Sequence, residues 1–247
     1  MTPHVSVVIP LRDEDRNVLL LHEELTAALT PLGVPYELIL IDDGSTDATF
    51  ARLTEIHARD PHVRVVQFTR NFGQTAGFAA GFAHARGRWI VTLDGDLQND
   101  PEDIPRLLEI ARDYDIVCGW RKNRQDDLLT RHLPSVVANR VLGLVTGIPL
   151  HDVGCSLKVF RAEVVKPLRL RHGMHRYLPA FASQLGGRVT EVVVNHRPRR
   201  FGRSKYGLSR TFRVVRDILR LRALMRQAID PALPPPHLYD VRQVLEH

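Results

Sequence analysis

Short apolar runs alternate with amphipathic stretches through the first half of the chain, and this alternation most limits how it can fold. Val5 to Ile9, Tyr36 to Ile41, Val63 to Phe68, Trp89 to Leu93 and Ile116 to Cys118 have the length and composition of strands. Between them, Asn17 to Leu29, Thr46 to Ala58, Thr75 to Ala85 and Ile104 to Arg112 carry apolar residues at helical spacing. The alternation predicts βαβ units, a mostly parallel sheet flanked by helices, and right-handed crossovers. At 247 residues, 44% of them hydrophobic and 25% charged, the chain can bury the core of one such α/β domain with a C-terminal extension.

Beyond Trp120 the pattern loosens. Arg121 to Arg131 is a polar, basic stretch, long for a connection and therefore functional or mobile. Helical spacing returns at Ser135 to Val145, and a further strand pair is expected at Ser156 to Phe160 and Val189 to Asn195. A helix is predicted from about Leu208 to Gln227, with Leu208, Phe212, Val215 and Leu219 on one face and Arg210, Arg213, Arg216 and Arg220 elsewhere. Pro231 to Pro236 marks a stiff, extended tail. The organisation expected is a folded domain over residues 1–207 with a loop at 120–134, a basic amphipathic helix over 208–229 and a Pro-rich tail over 230–247. The terminal Leu245-Glu246-His247 reads as a remnant of cloning and is assigned no function.

The net charge of +6 is carried almost entirely by arginine, and the pI is near 9.7, which points to a phosphate-rich partner or an anionic membrane. Cys118 and Cys155 lack CxxC spacing and suit a reducing compartment, where they read as small buried residues. Lys158 is expected at the surface, and His196 in a structural role. No signal peptide is expected, since Thr2, Pro3 and His4 lead straight into Val5 to Ile9. No membrane span is expected either, because arginines interrupt the basic helix every three or four residues.

The chemistry is concentrated where strands end. The run WIVTLDGDLQND leads from a strand into Asp94 and Asp96, with Gln98 two positions on. Side chains alternate along a strand, so both aspartates face the same way at its carboxyl end, where open α/β sheets bind ligands. Two hard oxygen ligands there suit Mg²⁺ or Mn²⁺ bridging a diphosphate, although an isolated Asp-x-Asp reads as two solvated carboxylates. The second strand ends in Asp42, Asp43, Gly44, Ser45 and Thr46. An aspartate there can accept hydrogen bonds from a base or ribose, while the hydroxyls cap the next helix; alone, the segment is a capped turn. GxGxxG is absent, which argues against a dinucleotide-dependent dehydrogenase.

Together VSVVIPLRDED from Val5, ILIDDGSTD from Ile39, RNFGQTAGFAAGF from Arg70 and DGDLQ from Asp94 resemble the glycosyltransferases of family 2, with the GT-A fold. DGDLQNDPEDIP, the arginine-rich segment with Arg131 and Ser135, HDVGCSLKVFR from His151 and HRPRRFGRSKYGLSR from His196 are similar to the branch that glycosylates polyprenyl phosphates, which includes dolichol-phosphate mannosyltransferase. The likeness covers roughly residues 5–216. It implies that Pro10, Glu14, Asp42 and Asp43 line a nucleotide pocket and that Asp94, Asp96 and Gln98 bind metal and diphosphate. It implies that Arg121, Arg131 and Ser135 meet the acceptor phosphate, and that Arg203 and Lys205 close over the donor. Asp152 is a candidate base, sugar contact or structural residue. Arg12 departs from the pattern, standing where relatives often carry an aromatic residue, which bears on base stacking and donor identity. The C-terminal membrane region of many members is also absent.

The resemblance implies an inverting, metal-dependent transfer of a hexosyl group from a nucleotide sugar, GDP-mannose or a UDP-sugar, to dolichyl or undecaprenyl phosphate. Such an enzyme would work peripherally at the cytoplasmic face of a membrane, with its basic helix at the lipid surface. An acceptor phosphate is already largely dianionic at neutral pH and needs little help from a base. A nucleotidyltransferase could also use the paired aspartates. A nucleic-acid-binding module would satisfy the charge, but no recognised RNA-binding motif or interleaved aromatic residues support nucleic acid as the partner.

Overall fold

The computed structural model describes residues 3–122, 143, 146–201, 221–234 and 236–247. Among them, eight strands form one sheet: β1 (Val5–Leu11), β2 (Tyr36–Asp42), β3 (Val63–Phe68), β4 (Trp89–Thr92), β5 (Ile116–Trp120), β6 (Lys158–Arg161), β7 (Val189–Val193) and β8 (Val241–Leu245). The helices are α1 (Val18–Leu29), α2 (Thr49–Arg59), α3 (Gln74–His84), α4 (Ile104–Ile110), α5 (Ala162–Val165), α6 (Leu178–Ser183) and α7 (Leu221–Ile229). The strand order is β7-β5-β6-β4-β1-β2-β3-β8. β1 pairs in parallel with both β2 and β4, β2 with β3, and β5 with β7, whereas β6 and β8 run antiparallel to their neighbours.

The first strands read as continuous apolar runs because the sheet is covered on both faces. Val5, Val7, Ile9 and Leu11 of β1, with Leu38 and Leu40 of β2, pack against Leu21, Leu25, Leu53, Ile104 and Leu107 from α1, α2 and α4. Val8, Ile39 and Ile41 point the other way, into a core with Phe78, Phe82, Val165 and Phe181 from α3, α5 and α6. α3 lies unusually close to β1. A Cβ at Gly77 would come within 2.7 Å of Pro10 Cβ, and one at Gly81 within 2.0 Å of Val8 Cγ1, so only glycine permits this approach.

The strand order reverses around β1, which has β4 on one side and β2 on the other. A crevice outside the carboxyl ends of β1, β2 and β4 follows from that topology. It is where the loops beginning at Arg12, Asp43 and Leu93 leave the sheet.

Two expectations need correction. The end of the chain is a strand: β8 pairs with β3, Val66 opposite Val244, and Tyr239 stacks on Phe68 at 4.9 Å. Glu246, assigned no role from sequence, lies 3.3 Å from Arg64 and 3.0 Å from Arg86. Lys158 is only 4% exposed; β6 is an interior strand, and its ammonium donates to the carbonyls of Val153 and Cys155. The predicted helix near the C-terminus is described only from Leu221, and over α7 Leu221, Met225 and Ala228 face the core. Residues 208–220 of the predicted helix, with its named apolar and arginine positions, lie outside the described residues. Among the described residues no helix is long and apolar enough to cross a membrane.

Candidate functional site

The first wall of the crevice is built where β1 and β2 end. Asp42, fully buried, accepts the Ser45 amide on Oδ1 at 3.1 Å, but its Oδ2 has no hydrogen-bond partner among the described residues. A buried carboxylate oxygen left unsatisfied is costly unless something else donates to it. Asp43 is differently engaged. Its oxygens accept the amides of Phe72 at 2.6 Å and Gly73 at 2.9 Å, fixing the loop that enters α3. Burial pushes its pKa up from the usual carboxylate value, against the lowering effect of those amides. Gly44, at φ +65°, packs so tightly on the Arg70–Asn71 backbone that a Cβ would sit 2.3 Å from the Arg70 carbonyl carbon.

The β1 and β2 loops are laced together. Ser45 Oγ accepts the Asp13 amide at 3.0 Å, and Thr49 Oγ1 accepts the Glu14 amide at 2.7 Å. Glu14 Oε2 takes a 2.5 Å bond from Asn17 Nδ2. Pro10 is partly exposed on the side of β1 against which α3 packs. Arg12 is exposed, with Nε 3.5 Å from Asp13 Oδ2.

The second wall is the acidic segment after β4. Period-two alternation outlasts the strand: Asp94, Asp96 and Gln98 are partly exposed, and Gly95, Leu97 and Asn99 are buried. Leu97 holds the pattern in a left-handed conformation, φ 62°, unusual for a side-chain-bearing residue. Gln74 Nε2 donates to Asp94 Oδ1 at 2.5 Å across the crevice, so the α3 loop anchored by Asp43 also orients Asp94. Burial first, then the charge of Asp96, pushes the Asp94 pKa up, with Ser156, Arg121 and Lys158 opposing.

A buried carboxylate whose pKa is raised by a second carboxylate beside it calls for a cation. Arg199 Nη2 lies 2.6 Å from Asp96 Oδ2 and 3.1 Å from Gln98 Oε1, so one positive charge already bridges two of the three oxygen donors. The donor set therefore fits a hard cation. No group of three or more His, Cys, Asp or Glu residues among the described residues could hold a metal ion, so two carboxylates and the Gln98 amide would leave positions for phosphate oxygens or water.

The third wall lies around β5. Arg121 donates from Nε to Asp152 Oδ2 at 2.7 Å and from Nη2 to Asp152 Oδ1 at 3.0 Å. Burial disfavours the guanidinium's charge, but the hydrogen bond and charge of Asp152 more than compensate and raise its pKa. Glu191 on β7 fixes the Asp152 backbone, accepting its amide at 2.8 Å and that of His151 at 2.9 Å. Beside Asp152, Val153 helps line a small apolar hollow with Thr146, Ile148, Leu150, Tyr177, Pro179 and Ala180. Burial pushes the thiols of Cys118 and Cys155 up to about 12 and about 11, leaving them inert packing residues as expected.

Of the residues nominated from sequence, Pro10 and Asp42 lie at the ends of β1 and β2, and Glu14, Asp43, Asp94, Asp96, Gln98, Arg121 and Asp152 on the loops bounding this end of the sheet. Arg131, Ser135, Arg203 and Lys205 lie outside the described residues. Gln74, Glu191 and Arg199 were missed. Gln74 and Arg199 sit within quoted motifs, but their partners depend on tertiary contacts that spacing does not reveal.

The model for "Glycosyl transferase family 2" matches residues 6–169. The chain belongs to glycosyl transferase family 2. Dodecaprenyl-phosphate galacturonate synthase from Rhizobium johnstonii is 46% identical over 232 residues, covering 92% of this chain and 69% of that protein. Undecaprenyl-phosphate 4-deoxy-4-formamido-L-arabinose transferase from Pectobacterium carotovorum is 40% identical over 219 residues, covering 87% of this chain and 66% of that one. The chain thus spans about two thirds of the length of these relatives. Glucosyl-3-phosphoglycerate synthase from Mycobacterium tuberculosis, crystallised with Mn²⁺ and UDP-glucose, superposes with a TM-score of 0.66 at 18% identity, covering 97% of this chain and 86% of that one. That likeness establishes the GT-A fold. Within this glycosyltransferase family, the sequence relatives fall in the polyprenyl-phosphate branch.

Proposed function

We propose that this family 2 glycosyltransferase moves a sugar from a nucleotide donor to a polyprenyl phosphate, with inversion at the anomeric carbon. The observation that carries the proposal is the convergence, at one end of the sheet, of Asp42 with its unpartnered buried oxygen and the oxygen donors Asp94, Asp96 and Gln98, the last two of which hold the Arg199 guanidinium. Asp42 Oδ2 is suited to receive a base N–H, and Pro10 and Glu14 would help line the nucleotide pocket. The acidic trio would hold a divalent ion, Mg²⁺ or Mn²⁺, which when bound would neutralise the donor diphosphate as it leaves. The M. tuberculosis neighbour's Mn²⁺ and nucleotide sugar support that reading.

The names of the sequence relatives support a polyprenyl-phosphate acceptor. Arg121, with Arg131 and Ser135, would face its phosphate. The acceptor phosphate is already anionic near neutral pH, so a direct attack needs no strong base. Asp152, paired with Arg121, holds that guanidinium in place. Arg203 and Lys205 would cover the donor phosphates. The galacturonate-transferring relative makes a nucleotide-linked uronic acid the first donor to try, beside GDP-mannose and UDP-hexoses.

With a lipid-bound acceptor, the enzyme would work at the cytoplasmic face of the membrane. The test is nucleoside diphosphate release from a donor panel, with and without a short polyprenyl phosphate. Release that requires the lipid phosphate supports the proposal. Release that ignores it, or diphosphate freed from a nucleoside triphosphate, counts against it.

A further inference from the structure

Arg199 closes the acidic end of the site in a partly buried ion pair, its side chain 25% exposed and that of Asp96 13%. The segment carrying it is fixed. His196 bridges to Asn99 in antiparallel register, and the Arg197 amide donates to the Gln98 carbonyl at 2.9 Å. The Arg197 guanidinium is held by Glu24 at 2.7 Å and Asp100 at 2.5 Å. With the neighbouring backbone anchored, Arg199 can leave Asp96 by side-chain rotation alone.

Taking Asp94, Asp96 and Gln98 as the cation's ligands, the reading on which this rests, we propose that Arg199 is an internal counter-ion that a divalent cation must displace. The displaced guanidinium would then pair with the incoming diphosphate, making metal and nucleotide binding cooperative. The physical reasons are three. A guanidinium keeps its charge at any working pH, so it competes with a divalent ion for the Asp96 and Gln98 oxygens. Its planar fork fits carboxylate and phosphate alike, so moving between them exchanges one charge-assisted hydrogen bond for another. A diphosphate adds the negative charge needed to accommodate both cations, and the resulting coupling is reciprocal. The cation alone should bind weakly, and its affinity should rise when a nucleoside diphosphate is present.

The test is a Mn²⁺ titration of the full chain, followed by loss of the free-ion paramagnetic resonance signal, alone and with UDP or GDP. Arg199→Ala and Arg199→Gln are compared with wild type, and thermal melting checks that each variant folds. Removing a charge-assisted partner of this kind should tighten Mn²⁺ binding without nucleotide by roughly tenfold. It should also shrink the enhancement that nucleotide produces, and Arg199→Lys should restore part of the wild-type behaviour. Unchanged or weaker Mn²⁺ binding in folded variants, while wild type still binds Mn²⁺ with nucleotide, overturns the role of Arg199 and leaves the metal reading standing. No Mn²⁺ binding to any of the proteins, with or without nucleotide, overturns the metal reading and this inference with it.

Discussion

Arg121 and Asp152 form a two-pronged ion pair, Nε to Oδ2 at 2.7 Å and Nη2 to Oδ1 at 3.0 Å, with the two side chains 14% and 4% exposed. A carboxylate so engaged is a holder of the guanidinium, and a free base is not needed for a phosphate acceptor.

Asp152→Ala should therefore cost stability, because it leaves a buried guanidinium unpaired. The loss should be about 3 kcal/mol by urea denaturation. Asp152→Asn should raise the acceptor KM while keeping the shape of the wild-type pH–rate profile. If the variant loses one limb of that profile, Asp152 is a general base.

Asp42→Asn tests the nucleotide pocket. The amide can keep the bond from Ser45 on its oxygen but places an NH₂ where Oδ2 now has no partner. UDP or GDP affinity should fall by roughly tenfold or more, since a donor would face a donor, with little change in melting temperature. Unchanged calorimetric affinity for both nucleotides would remove Asp42 from base recognition.

Asp94→Asn and Asp96→Asn should each fold and each lose most turnover. Losing one anionic ligand removes several kcal/mol of charge stabilisation, roughly a hundredfold or more in kcat/KM. Transfer at the wild-type rate under saturating metal would show that the residue concerned is not a ligand.

Away from the site, Asp115 ties together the edges of β5, β6 and β7. It accepts the Arg188 amide at 3.0 Å and Arg161 Nε at 2.7 Å. The Arg188 amide, with Arg161 and against some desolvation, holds its pKa below the usual 3.8. A depressed folded-state value means that the contribution is complete above the unfolded value and lost as pH falls through the folded one. Asp115→Asn should thus lower stability by about 1–2 kcal/mol near neutral pH, and the gap from wild type should narrow below about pH 4. Equal separation of the denaturation curves at both pH values would contradict this.

The parallel core strands were legible because burial on both faces makes them continuous apolar runs, and Asp94 and Asp96 stood out because they interrupt such a run at its end. β8 was not legible. Its residues grade from exposed to half-buried without alternation, so Val241 to Leu245 carries no period-two signal after the prolines. Lys158 was misplaced because its ammonium is satisfied by backbone carbonyls, which composition does not register. Arg199 is one of several arginines in HRPRRFGR. The contacts that select it, such as the bridge from His196 to Asn99, span nearly a hundred residues.

The most direct test of the account is mass analysis of the lipid product after incubation with undecaprenyl phosphate, Mn²⁺ or Mg²⁺ and a panel of nucleotide sugars that includes uronic acids. The prediction is a polyprenyl-phosphate sugar formed one for one with nucleoside diphosphate for at least one donor, and abolished in Asp96→Asn. Nucleotide-sugar turnover that yields only free sugar, or a lipid product that persists undiminished in folded Asp96→Asn, would contradict it.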